Sequence, residues 1–173
     1  AAAPDADAAR VQQRTGGARR VALVCFRFGA GIVGGAERSL RTIGAALRRR
    51  GVAVEVFTTC NRAESAWRNE LAAGTFTEDD LVVHRFPIDP HDRERHLHSL
   101  ERLRGSERPC AADVAEDYLR DSVHSTALLQ ALERRIGAFD ALIAGPYLFG
   151  LTADVARRFP DKTLLLPCFH DEP

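Results

Sequence analysis

From Arg20 onward the hydrophobic and polar positions fall into two alternating regimes. Val21 to Phe26 is an unbroken apolar run, the composition of a parallel strand buried on both faces. From Ala36 the period changes: Leu40, Ile43, Gly44 and Leu47 recur at i, i+3, i+4 and i+7, while Arg38, Arg41, Arg48 and Arg49 fill the other faces. That spacing predicts a helix over 36–50 with one buried stripe. Gly51 stands where a left-handed C-terminal cap is wanted, and a β-rich run over 52–58 follows. Further along, the pattern predicts a helix over 63–73, a strand over 81–86 and a polar segment over 87–110. A long amphipathic helix over 112–136 comes next, its imperfect stripe formed by Val114, Tyr118, Leu119, Val123, Leu128, Leu129 and Leu132. A strand over 140–144, a short helix over 150–158 and a strand over 163–167 complete the chain.

Strands alternating with helices predict an α/β fold, a Rossmann-like three-layer αβα arrangement around a mainly parallel sheet. The loop between the first strand and first helix then opens at the carboxyl edge of the sheet, where open α/β folds bind ligands. Two readings compete there. Gly29, Gly31 and Gly34 match the GxGxxG pattern literally, which would make this a domain of an NAD(P)-type dinucleotide-dependent oxidoreductase. Against it, the second strand ends Phe57-Thr-Thr-Cys-Asn-Arg62 without an acid for the ribose hydroxyls, and Gly34-Gly35, not Gly29, stands where the helix starts. A non-catalytic flavodoxin-like binding module, with the glycines as turn residues, is the further alternative.

Gly34-Gly-Ala-Glu37 with Arg38-Ser-Leu40, followed by Leu47-x-x-x-Gly51-x-x-Val54-x-Val56-Phe-Thr58, resembles the opening of the N-terminal domain of GT-B glycosyltransferases, in particular family 4 of the retaining enzymes. Leu164-Leu-Leu-Pro-Cys-Phe-His-Asp-Glu-Pro173 resembles a strand and turn found in some members, and Asp140 to Gly150 resembles a strand carrying an aromatic-Gly turn. The resemblance implies the N-terminal, acceptor-side half of a GT-B fold. Its expected activity is transfer of a sugar, with retention, from a nucleotide-diphosphate sugar to a carbohydrate, lipid-linked or small-molecule acceptor. No other cofactor is implied. It also implies a second Rossmann-like domain, which supplies most of the nucleotide-sugar site, so the piece beginning at 20 and ending at 173 reads as truncated and inactive alone. A cytoplasmic enzyme is implied, with a peripheral place at the inner membrane face left open.

Candidate site residues follow from these placements. Backbone N–H groups at Gly34, Gly35 and Ala36 would meet the departing diphosphate, where a Cβ at either glycine would block the approach. Glu37 lies in the first helical turn, either to hydrogen-bond a sugar or acceptor group or only to complement the helix dipole, and Arg38 is a phosphate candidate. The resemblance places His170 against the transferred sugar as the catalytic candidate, with Asp171 and Glu172 beside it. A capped turn is the alternative for that trio. Asn61 and Arg62 follow the second strand as acceptor-side candidates, and Tyr147 is placed either to stack on a sugar face or to pack.

Composition narrows this picture modestly. At 173 residues with 45% apolar and 28% charged side chains, the chain fits one globular domain, preceded by an Ala/Asp/Arg/Gln/Gly-rich segment over 1–19 expected to be disordered. Equal counts of 24 basic and 24 acidic side chains leave no net field to recruit nucleic acid. Cys25, Cys60, Cys110 and Cys168 show no metal spacing and read as free thiols of a reducing compartment. His91, His96 and His98 fit no zinc pattern, so they are expected on a solvated insertion, a mixed-charge loop or short helix over 89–98 shaping the acceptor pocket, rather than around a metal. No segment is long and apolar enough to span a bilayer.

Overall fold

A computed structural model describes residues 19–32, 34–63, 66–107 and 109–168. Six strands form one sheet: β1 (Arg20–Val24), β2 (Ala53–Thr59), β3 (Gly74–Glu78), β4 (Leu81–Phe86), β5 (Ala141–Ala144) and β6 (Thr163–Leu165). Their order is β3-β4-β2-β1-β5-β6, every pairing parallel except β3 against β4. The helices are α1 (Gly35–Arg49), α2 (Arg93–Arg104), α3 (Ala112–Arg120), α4 (Thr126–Arg135) and α5 (Gly150–Arg158), with a 3₁₀ turn at Ile136–Ala138. The parallel strands run β4-β2-β1-β5-β6, a Rossmann-like order that reverses direction between β1 and β5.

The side-chain period of two sends alternate residues of each strand to opposite faces, and each face has its own core. Val21, Leu23, Val54, Val56 and Val83 pack under Leu40 of α1, with Ile43 and Leu47 at its edge. Ala22, Val24, Phe57, Leu142 and Ala144 pack under Leu128 and Leu132 of α4 and Leu151 and Val155 of α5. Helices therefore cover both faces, the expected three layers. The network at Glu55 tightens the second face: its carboxylate takes hydrogen bonds from His84, Arg20 and Arg135 at 2.7–3.0 Å. Burial would raise its pKa, but these three partners outweigh it and hold Glu55 at about 2.

Two predicted elements differ. The expected helix over 63–73 is absent from the described residues of that stretch, whose backbone bonds to distant groups: Arg68 N donates to Asn61 Oδ1 at 2.9 Å, and Leu71 N donates to Cys60 O at 2.8 Å. Asn69 ties it to the chain after β4, its Oδ1 accepting from Ile88 N at 2.8 Å. Tertiary hydrogen bonds overrode helix propensity here. The single helix expected over 112–136 is two helices, because Ser125 caps α4 by accepting from Leu128 N and its hydroxyl donates to Pro87 O at 2.7 Å. Within the polar segment over 87–110 the helical alternative holds: α2 starts with Asp92 accepting from Arg95 N and runs beyond the histidine cluster to Arg104. The antiparallel β3 was not anticipated. It turns into β4 through Asp79 and Asp80, both at positive φ (50° and 58°), the geometry of a tight two-residue hairpin.

Candidate functional site

Strand order reverses between β1 and β5, so the loops leaving them head for opposite faces of the sheet, the position at which open α/β folds place a ligand crevice. Phe26 and Phe149, from these two loops, meet with ring centroids 4.0 Å apart and planes tilted by 30°. The β1 loop then folds outward over the β3–β4 hairpin, where Arg85 donates to Phe28 O at 3.3 Å and Glu78 accepts from Ala30 N at 3.1 Å. Arg41 of α1 donates to the carbonyls of Gly29 and Ile32. A Cβ at Gly29 would lie 2.8 Å from Arg85 Nη2. The close approach at Gly29 is thus taken up by protein, not kept open for a dinucleotide.

Gly34 is the N-cap of α1, so the helix starts at Gly35 as its sequence pattern requires. Glu37 occupies the third position and is buried, its Oε1 2.5 Å from Arg27 Nε, and both side chains are under a tenth exposed. A Cβ at Gly34 would collide with the Glu37 carboxylate, which gives Gly34 a reason internal to the fold. Gly35 is different: it is exposed, and a Cβ there would meet nothing within 4 Å. Ala36 is half-buried and Arg38 exposed. Arg27 is the residue that sequence reasoning missed. The signal was an arginine between two aromatics at a strand end, Phe26-Arg27-Phe28, a position where a charge needs a buried counterion.

The other candidates separate. Asn61 is fully buried, and its side chain bonds within its own loop, to Ala63 O and Arg68 N. Arg62 is exposed. Tyr147 reaches a second feature, a cleft of about 600 Å³ between α2, α3 and the β5 loop, which Trp67, His96, Tyr118 and Phe149 also line. His170, Asp171 and Glu172 lie outside the described residues, as does the segment over 1–18. His96 departs from the solvated insertion expected for its cluster: it is 9% exposed and lies 4.3 Å from the Trp67 ring, whereas His91 and His98 are exposed. No group of three or more ligating side chains is placed to hold a metal ion among the described residues.

Cys25, just past the end of β1, is buried in the core of one sheet face. Burial, opposed by a hydrogen bond to Thr58, pushes its thiol up to about 12, so it stays protonated and is no nucleophile at neutral pH. The four cysteines are free thiols. No described helix is long and apolar enough to cross a membrane.

No protein-family model, no curated protein and no solved structure matches this chain.

Proposed function

We propose that this chain is the acceptor-side Rossmann-like domain of a GT-B retaining glycosyltransferase, moving a sugar from a nucleotide-diphosphate donor to an acceptor. The observation that carries the reading is the start of α1. It sits at the strand-order reversal, with Gly35 open toward solvent and the acid of the first turn already neutralised by Arg27. A bare carboxylate there would repel a diphosphate, and the buried pair removes that repulsion while the helix N-terminus keeps its positive end. In this reading the amides of Gly35 and Ala36 face the leaving diphosphate, stabilising charge as the glycosidic bond breaks. Arg38, exposed on the same turn, adds a mobile positive charge. A second domain completes the donor site, so the chain alone binds diphosphate weakly and does not transfer sugar.

The test is an amide-resolved NMR titration of the chain with inorganic pyrophosphate. Saturable shifts confined to Gly35, Ala36 and their neighbours support the reading, and Gly35→Ala should abolish them while leaving the fold intact. An unperturbed α1 start at millimolar pyrophosphate would overturn it.

A further inference from the structure

The cleft between α2, α3 and the β5 loop is the largest feature that the diphosphate reading leaves unused. At about 600 Å³ it falls within the range of roughly 300–1,000 Å³ of small-molecule pockets. Its α2 wall has a definite pattern. Arg93, Leu97, Leu100 and Arg104 all line it, and their spacing of i, i+4, i+7 and i+11 sets them in one stripe along the helix, an arginine at each end and leucines between. The buried contacts of α2 fall on another side, at His96 and Ser99. Leu97 is thus left 43% exposed, one of four large apolar side chains so placed among the described residues. Trp67, Tyr118 and Phe149 bring rings to the same cleft from three other segments.

Charge decides what kind of molecule fits. The chain carries equal numbers of basic and acidic side chains, yet Arg93 and Arg104 are the only Arg, Lys, Asp or Glu residues lining the cleft among those described. On the same helix Arg102 is paired with Asp117 at 2.5 Å, whereas Arg104 has no acidic partner among the described residues. Leucines and rings gain from covering an apolar body, and an arginine at the end of their stripe gains from an oxyanion there. We propose that the cleft binds a flat apolar molecule carrying one carboxylate, its body laid along Leu97 and Leu100 beside the Trp67 ring and its charge held by Arg104. A single guanidinium without an acid matches a singly charged head group, and its fork of N–H donors fits the two oxygens of a carboxylate. Arg93, about 16 Å along the helix axis from Arg104, adds to the positive field that draws the anion in. Binding stands apart from the transferase reading, and only the ligand's part as glycosyl acceptor rests on it.

Trp67 is the only tryptophan in the chain and lines the cleft, so its single indole N–H resonance reports occupancy. The probes are 2-naphthoate, then 2-naphthamide, which keeps the rings and loses the charge, and gluconate, which keeps the carboxylate and replaces the rings by hydroxyls. Expected is a saturable shift with 2-naphthoate, binding about tenfold tighter than 2-naphthamide at low salt, the worth of one charge-assisted hydrogen bond at a partly exposed site. Gluconate, with no apolar body for the leucines to cover, should bind about tenfold or more weakly than 2-naphthoate. Arg104→Gln, at an exposed position away from the packed side of α2, should erase the preference for the acid and leave the affinity for the amide unchanged. No saturable shift with 2-naphthoate, equal affinities for acid and amide, or gluconate binding as tightly would each overturn the proposal without any variant having to fold. A preference for the acid that survives Arg104→Gln would overturn it as well. The two readings fail at different residues: naphthoate shifts at Trp67 without pyrophosphate shifts at Gly35 remove the transferase reading and keep the cleft, whereas the reverse removes only the cleft.

Discussion

Two helices begin at the carboxyl edge of neighbouring strands, and their first turns are used in opposite ways. The start of α5 is closed by protein. Gly150 N donates to Ser122 Oγ at 3.1 Å, Leu151 N donates to Val123 O at 2.8 Å, and a Cβ at Gly150 would strike His124. The start of α1 is closed only from behind, by Glu37 and Arg27, and at Gly35 its outer side is open. Topology alone would make both turns anion sites. The local partners decide otherwise, and a glycine at a helix start carries meaning only once what stands over it is known.

The largest break in this comparison comes from behind α1. Arg27→Leu leaves the Glu37 carboxylate buried with its charge uncompensated and should lower stability by about 3–5 kcal/mol in urea unfolding. The double variant Arg27→Leu with Glu37→Leu should regain most of that loss. Next comes Gly150→Ala, whose methyl must displace His124 and lie 2.6 Å from Leu119 O, expected to destabilise by about 1–3 kcal/mol. The same change at Gly35 should alter stability by less than about 0.5 kcal/mol, because nothing stands over it. If the two alanine variants lose equal stability, the contrast between the two helix starts is wrong.

Proton linkage sharpens the α5 side. His124 Nδ1 lies 2.6 Å from Asp154 Oδ2, and Nε2 faces the carbonyls of Leu119 and Arg120 at 3.0 and 3.1 Å. Both nitrogens face acceptors, an arrangement that favours the cation, and the Asp154 hydrogen bond chiefly raises the pKa against the pull of burial. Its contribution to stability is complete below the unfolded imidazole value of about 6.5 and is lost as pH rises through the raised folded value. His124→Gln should flatten that alkaline decline in a stability profile. Glu55 works in the opposite sense. Its depressed pKa of about 2 gives stability that is full above the ordinary carboxyl value of about 4.3 and lost as pH falls toward 2. Glu55→Gln should flatten the acid limb and leave the alkaline one unchanged.

Much of the scaffold was legible because a single period dominates each piece. The run Val21 to Phe26 and the stripe Leu40, Ile43, Leu47 leave one reading each, and β1, α1, β2, β4, β5 and α5 follow. The failures differ in kind. Ala63-Glu-Ser-Ala-Trp-Arg-Asn-Glu70 has the composition of a helix, but Asn61 and Cys60 claim its backbone from outside the segment, and Asn69 within it bonds the distant backbone of Ile88. The break before α4 was readable, since Ser125 has a cap's chemistry, and so was the Asp79-Asp80 hairpin turn. At the site, Gly34 and Gly35 looked equivalent in sequence, and only the fold of Glu37 back over Gly34 tells them apart. The cleft was the least legible part, because Trp67, His96 and Tyr118 come from three separate segments that no local pattern connects.

The pairing of β1 with β5 joins Val21 to Ala141, partners separated by most of the described chain. On a ribosome adding about 5–20 residues per second, β1 therefore waits on the order of 6–24 s after it is made before its second neighbour exists. Until then the central strand of the sheet can be flanked on one side only, by β2, with the unpaired N–H and C=O groups of the edge that will receive β5 still open. The same reversal of strand order thus sets a window in which the nascent chain depends on dilution or a chaperone to keep that edge from pairing with another molecule.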